Sequence, residues 1–148
     1  MNQQDLRTIL LVEDSAADAE MAVDALREAK LANPIVHVED GVECMDFLYS
    51  RGRFEGRAPI DPAVVLLDIK MPRMDGLEVL TQMRQNPGFR RIPVVILSSS
   101  REESDLARSW DLGVNAYVLK PVDVQQFFTA VQMLGHFWAV LNQRPDGE

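Results

Sequence analysis

Five short apolar runs that do not alternate narrow the possible folds more than anything else in this chain. They are Thr8–Val12, Ile35–Glu39, Ala63–Leu67, Pro93–Leu97 and Ala116–Leu119. A strand with one wet face alternates apolar and polar residues. Runs such as Ile9-Leu10-Leu11-Val12 and Val94-Val95-Ile96-Leu97 are apolar throughout, as parallel strands covered on both faces must be. Helical patterns fill the gaps near 16–30, 42–50, 77–86 and 101–112, and a fifth near 123–141 follows the last strand. Repeated βα units of this length predict a doubly wound α/β fold: a five-stranded parallel sheet with helices on both faces. The right-handed crossover rule leaves few strand orders, and the flavodoxin-like 2-1-3-4-5 is a common one.

The chain has 148 residues, close to one domain's worth. A chain of 16.7 kDa should bury roughly 69% of its unfolded surface, so a core forms without disulfides or structural metal. Its 15 basic residues against 23 acidic ones leave a net charge of −8, which argues against nucleic acid as a partner. The longest apolar runs, such as Ala63-Val64-Val65-Leu66-Leu67, fall far short of the ~20 residues that cross a bilayer. Met1-Asn2-Gln3-Gln4-Asp5 is polar and acidic where a leader would be basic. The lone Cys44 fits a reducing cytoplasm and reads as a core residue. The stretch 50–59, rich in Gly and Arg, reads as a long surface loop, and the residues after Leu141 as a short tail.

In open parallel sheets, ligands bind beyond the carboxyl ends of the strands where the strand order reverses. Strands one, three, four and five end there in Glu13-Asp14, Asp68, Ser98 and Lys120. Three carboxylates in one crevice repel unless a cation intervenes. A hard divalent ion such as Mg²⁺, bound through oxygen, resolves the conflict. A lysine and a hydroxyl beside it complete a phosphoryl-transfer site, where the work is positioning and charge neutralisation. An Asp carboxylate can serve as the accepting nucleophile.

At these residues the chain resembles the receiver domain of two-component response regulators. The matching pieces are Leu10-Leu11-Val12-Glu13-Asp14, Leu66-Leu67-Asp68-Ile69-Lys70-Met71-Pro72-Arg73-Met74-Asp75-Gly76, Val95-Ile96-Leu97-Ser98 and Ala116-Tyr117-Val118-Leu119-Lys120-Pro121. Glu13-Asp14-Ser15-Ala16-Ala17-Asp18, His37-Val38-Glu39-Asp40-Gly41, the loop after residue 50 and Phe137-Trp138 are similar, more narrowly, to single-domain regulators that partner phytochrome kinases. The resemblance implies a receiver spanning 5–141, a tail over 142–148 and no output domain. It implies Asp68 as phospho-acceptor, with Mg²⁺ held by Glu13, Asp14, Asp68 and the backbone carbonyl of Lys70. Ser98 would be the switch hydroxyl, Tyr117 the aromatic that follows it, and Lys120 the phosphoryl partner, joined to Pro121 by a cis peptide. Glu13 departs from the commoner Asp and lengthens the arm, with room for a water before the metal. Lys70 occupies a variable position, and its ammonium reads as a solvent-exposed charge able to reach the site's rim.

Competing readings are weaker. Ser99 or Ser100 should cap the helix at Arg101. Tyr117 on an edge strand also reads as a half-buried packing residue. His37 and His136 have no second ligand, and neither is read near a strand's carboxyl end, so no metal site or catalytic triad includes them. An aspartate-nucleophile phosphatase would need a second acid where Lys70 stands, and a flavin-binding module would need a phosphate cradle where the acidic 13–18 stretch lies. A scaffold that ignores phosphorylation leaves the acceptor constellation unexplained. In the last helix Val124, Phe127, Phe128, Val131, Leu134, Trp138 and Leu141 form a buried stripe. Val122, Ala130, Met133, Phe137 and Val140 overflow it, which reads either as a wide core contact or, the reading favoured, as the patch of a homodimer through this helix and strands four and five. The expected partner is a sensor histidine kinase, a bacterial phytochrome by the finer resemblance, or a histidine phosphotransfer protein. No enzymatic activity is expected beyond the chain's own phosphorylation and dephosphorylation.

Overall fold

The computed structural model describes residues 7–99 and 103–120, together with 125, 126 and 129. Five strands form one parallel sheet in the order β2-β1-β3-β4-β5. They are β1 (Ile9–Val12), β2 (Ile35–Val38), β3 (Val64–Leu67), β4 (Val94–Ser98) and β5 (Ala116–Leu119). Among the described residues the helices α1 (Ala16–Glu28), α2 (Gly41–Tyr49), α3 (Gly76–Gln85) and α4 (Glu103–Asp111) alternate with them. Every residue of β1, β3 and β4 is buried. The edge strands β2 and β5 keep half-buried positions, because each has a ladder partner on one side only. Burial therefore reports position in the sheet: complete in the middle, mixed at the rim.

Successive residues of a strand point to opposite faces, and the core divides accordingly. Ile9, Leu11, Leu66, Val95 and Leu97 pack under α1, whose Ala19, Ala22 and Ala25 let it lie close to the sheet. Leu10, Val12, Val65, Leu67 and Ile96 face α2 and α3, which answer with larger side chains, among them Met45, Phe47, Leu80 and Met83. Cys44 belongs to this second layer, and complete burial pushes its thiol up to about 12, so it is an inert core residue. Among the described residues no helix is long and apolar enough to cross a membrane.

Helix starts follow side-chain chemistry. Ser15, Asp40 and Asp75 each accept a hydrogen bond from the amide three residues on, at 3.2, 2.9 and 2.9 Å. α4 begins at Glu103, and residues 100–102 lie outside the described residues, so capping by Ser99 or Ser100 is not placed. The loop after residue 50 is less open than its composition predicts. It contains a 3-10 turn (Gly52–Phe54) whose Phe54 ring stands edge-on to Phe47 at 5.1 Å. The Arg57 guanidinium lies 3.9 Å above the Phe47 ring and donates twice to the Phe47 carbonyl. A composition count cannot show that Arg57 turns onto α2 and is half-buried there, while Arg51 and Arg53 stay exposed. The helical stretch near 123–141, the Lys120–Pro121 peptide and the tail lie outside the described residues, apart from Gln125, Gln126 and Thr129, which are helical.

Candidate functional site

Register brings the polar residues together. Val12 stands opposite Leu67 across β1 and β3, so the next residues, Glu13 and Asp68, leave the sheet side by side. The Asp68 amide donates to the Val12 carbonyl at 3.0 Å, and the Glu13 amide to Val38 at 3.0 Å. Ser98 stands opposite Leu119 across β4 and β5, which sets Lys120 one residue beyond. The Lys120 amide donates to the Ser98 carbonyl at 3.0 Å. Chain ends anchored this way have little freedom, which suits a site that must hold charges at fixed spacing.

One carboxylate oxygen from each of Glu13, Asp14 and Asp68 lies within 4.8 Å of the others. Glu13 and Asp68 are buried and Asp14 is exposed, so the cluster opens to solvent on one side. The Lys120 ammonium sits among acids: it pairs with Glu13, with Asp68 at 3.1 Å and with Asp18 at 3.0 Å. Burial pushes the Glu13 carboxyl up to about 7, outweighing the bonds it accepts from Lys120 and from the Ser15 amide. Burial alone would depress the Lys120 ammonium, but its bonds to Glu13, Asp18 and Asp68 hold it above the ordinary lysine range. Among the described residues the crevice thus holds more acidic groups than Lys120 alone can balance. An all-oxygen, carboxylate-rich donor set with an open side fits a hard divalent cation.

The loop leaving Asp68 is fixed from several sides. A Cβ at Gly76 would fall 2.1 Å from the Asp68 carbonyl oxygen, so only glycine permits this approach. A Cβ at Gly41 would fall 2.2 Å from the Met74 carbonyl, to which the Gly41 amide donates at 3.1 Å. Arg73, held in the left-handed region at φ 65°, clasps Asp40 with two bonds of 2.8 and 3.1 Å. Burial raises the Asp40 carboxyl, yet the Arg73 bonds and the backbone amides of α2 bring it below the usual range.

The sequence profile of the response regulator receiver domain matches residues 9–132. The chain belongs to this family. Response regulator Rcp1 of Synechocystis is 38% identical over 132 residues, which cover 89% of this chain and 88% of Rcp1. The bacteriophytochrome response regulator RtBRR superposes with a TM-score of 0.86 at 51% identity, covering 96% of this chain and 86% of that one. The Mn²⁺-bound form of Rcp1 gives a TM-score of 0.75 at 36% identity, with 94% and 99% covered. The receiver is thus a response regulator related to phytochrome-associated regulators, and the phosphatase reading is not favoured.

Within this receiver the sequence-based expectations fare unevenly. Glu13, Asp14, Asp68 and Lys120 converge as expected. Ser98 is the last residue of β4 and fully buried. Tyr117 is half-buried and packs against the layer under α2 and α3, which is the packing reading. The exposed Lys70 sends its ammonium to Asp105 on α4 at 3.5 Å. The expectation for His37 is corrected. It is the third residue of β2, close to the carboxyl end, and its Nε2 lies 2.7 Å from the Glu13 carbonyl oxygen. Sequence reasoning passed over Asp18. An acid in the first turn of a helix reads as a dipole complement, and only the fold shows it bonded to Lys120.

Proposed function

We propose that this receiver is a phosphorylation-operated switch in which Asp68 accepts a phosphoryl group from the phosphohistidine of a sensor kinase or a histidine phosphotransfer protein. The observation that carries the reading is the buried Asp68 carboxylate, 3.1 Å from the Lys120 ammonium and clustered with Glu13 and Asp14. An Asp68 oxygen attacks phosphorus as the P–N bond breaks, and the bonding pair goes to the imidazole nitrogen, which takes up a proton. Lys120 neutralises one developing phosphoryl oxygen, and Ser98 donates to another after its hydroxyl turns toward the site, with Tyr117 following. Mg²⁺, held by Glu13, Asp14, Asp68 and the Lys70 carbonyl, would supply the remaining positive charge.

The output is a shift between two conformations, and moving from 1:99 to 99:1 takes about 5.5 kcal/mol of differential interaction. Charge-assisted bonds from the phosphoryl oxygens are the source. Residues 5–141 form the receiver and 142–148 its tail, acting in the cytoplasm with no chemistry beyond the chain's own phosphorylation cycle. The relationship to RtBRR and Rcp1 supports a bacterial phytochrome as the kinase. The apolar overflow of residues 122–140 supports a homodimer through the last helix and strands β4 and β5. Light scattering that finds only monomer at high micromolar concentration, phosphorylated or not, removes the dimer. The central test is incubation with acetyl phosphate and Mg²⁺. An acid-stable, base-labile adduct is expected on the wild type and none on Asp68→Asn; a wild type that takes no adduct overturns the reading.

A further inference from the structure

The ammonium of Lys120 has three N–H donors, and three carboxylates stand around it: Glu13, Asp18 and Asp68. A phosphoryl oxygen that is to bond Lys120 must therefore compete with one of them. The three partners are not equally releasable. The side chains of Glu13 and Asp68 are 3% and 7% exposed, so letting either go strands a charge away from water. Asp18 is 37% exposed, and water can solvate it when it is released. It is also the one carboxylate of the three outside the group able to share a metal ion, so a cation that draws off Glu13 and Asp68 leaves Asp18 on the lysine.

We propose that Asp18 is a positioning residue that restrains Lys120 in the unphosphorylated receiver and opposes its transfer to the phosphoryl group. The inference rests on Asp68 being the acceptor. Asp18 sits in the first turn of α1, its amide bonded to the Ser15 hydroxyl at 3.2 Å, so its backbone is fixed while its carboxylate reaches across to β5. The opposition has two parts: competition for the ammonium, and repulsion between the fixed carboxylate and an incoming anion. Asp18 thereby sets how much phosphoryl donor is needed to throw the switch. The blander role, a negative charge that favours the α1 N-terminus, concerns helix stability alone and makes no such demand on anion affinity.

The test is calorimetric titration of the full chain with beryllium fluoride, a phosphoryl mimic, in saturating Mg²⁺. Asp18→Asn should lower the half-saturating concentration by about three- to fivefold, while Asp18→Glu, which restores the charge, should return it toward the wild-type value. The gap between wild type and Asp18→Asn should narrow at high salt. Thermal melts of each variant show that it is folded at the titration temperature. An unchanged or weaker affinity in folded Asp18→Asn overturns the inference while leaving Asp68 as acceptor. A wild type that binds no beryllium fluoride removes both together.

Discussion

Two charge clusters occupy the same end of the sheet and behave in opposite ways. In one, a single arginine meets a single aspartate: Arg73 clasps Asp40, whose carboxyl drops below its ordinary range. In the other, Lys120 meets three acids, and the buried Glu13 carboxyl rises to about 7. The first is balanced and makes a joint, tying the α2 cap to the loop that leaves Asp68. The second keeps surplus negative charge in a fixed frame, which a fold gains nothing from holding unless a cation or an exchangeable partner is to arrive. Charge balance, more than the presence of buried charge, separates the structural cluster from the functional one.

Removing each cluster's cation should make this difference plain. Lys120→Met leaves three acids facing one another, and without metal it should lose about 3–5 kcal/mol of stability at neutral pH. Mg²⁺ or mild acid should recover much of that loss. Equal stability with and without Mg²⁺ in this variant would refute the surplus-charge account. Gly76→Ala tests the loop between the clusters: its methyl collides with the Asp68 carbonyl, so about 1–3 kcal/mol should go and acetyl-phosphate labelling should slow. Labelling at the wild-type rate would show that the acceptor tolerates displacement.

The two carboxyls also predict opposite pH dependences. Glu13 titrates near 7 in the folded chain against an ordinary 4.5, so the folded state keeps a proton that the unfolded state has lost. That contribution is fully present below about 4.5 and gone as pH rises through about 7. Asp40, lowered from 3.8, contributes above that value and loses its contribution as pH falls below it. Metal-free melts should therefore decline from pH 5 to 7.5. Binding must displace the Glu13 proton, so Mg²⁺ affinity should fall up to about tenfold per unit below pH 7. A flat affinity from pH 5.5 to 7.5 would contradict the Glu13 assignment. The smallest effect belongs to Arg73→Gln, which should lower Tm slightly and leave beryllium fluoride affinity unchanged. A large affinity change there would mean the joint is part of the switch.

What could be read from the chain follows from which interactions are local. Unbroken apolar runs mark strands buried on both faces, so β1, β3 and β4 were legible from residue type, while the strand order needed the crossover rule as well. Glu13, Asp68 and Lys120 were legible because each directly follows an apolar run. Asp18 was not, since its partner lies 102 residues away and its helical position offers a sufficient local reason for an acid. His37 was misplaced because its nearness to Glu13 depends on the β1–β2 register, Leu11 opposite His37, which no run length reveals. The inward turn of Arg57 onto Phe47 was hidden for a related reason: arginine is read as wet until an aromatic ring and a free carbonyl are known to face it.

The backbone bond from the Lys120 amide to the Ser98 carbonyl has a further consequence. The two side chains proposed to grip the phosphoryl oxygens are rungs of one ladder, and neither main chain can shift without pulling on the other. A receiver built this way resists half-measures. A main-chain displacement at either residue is passed to the other through this bond, so the two contacts are coupled through the backbone as well as through the phosphoryl group.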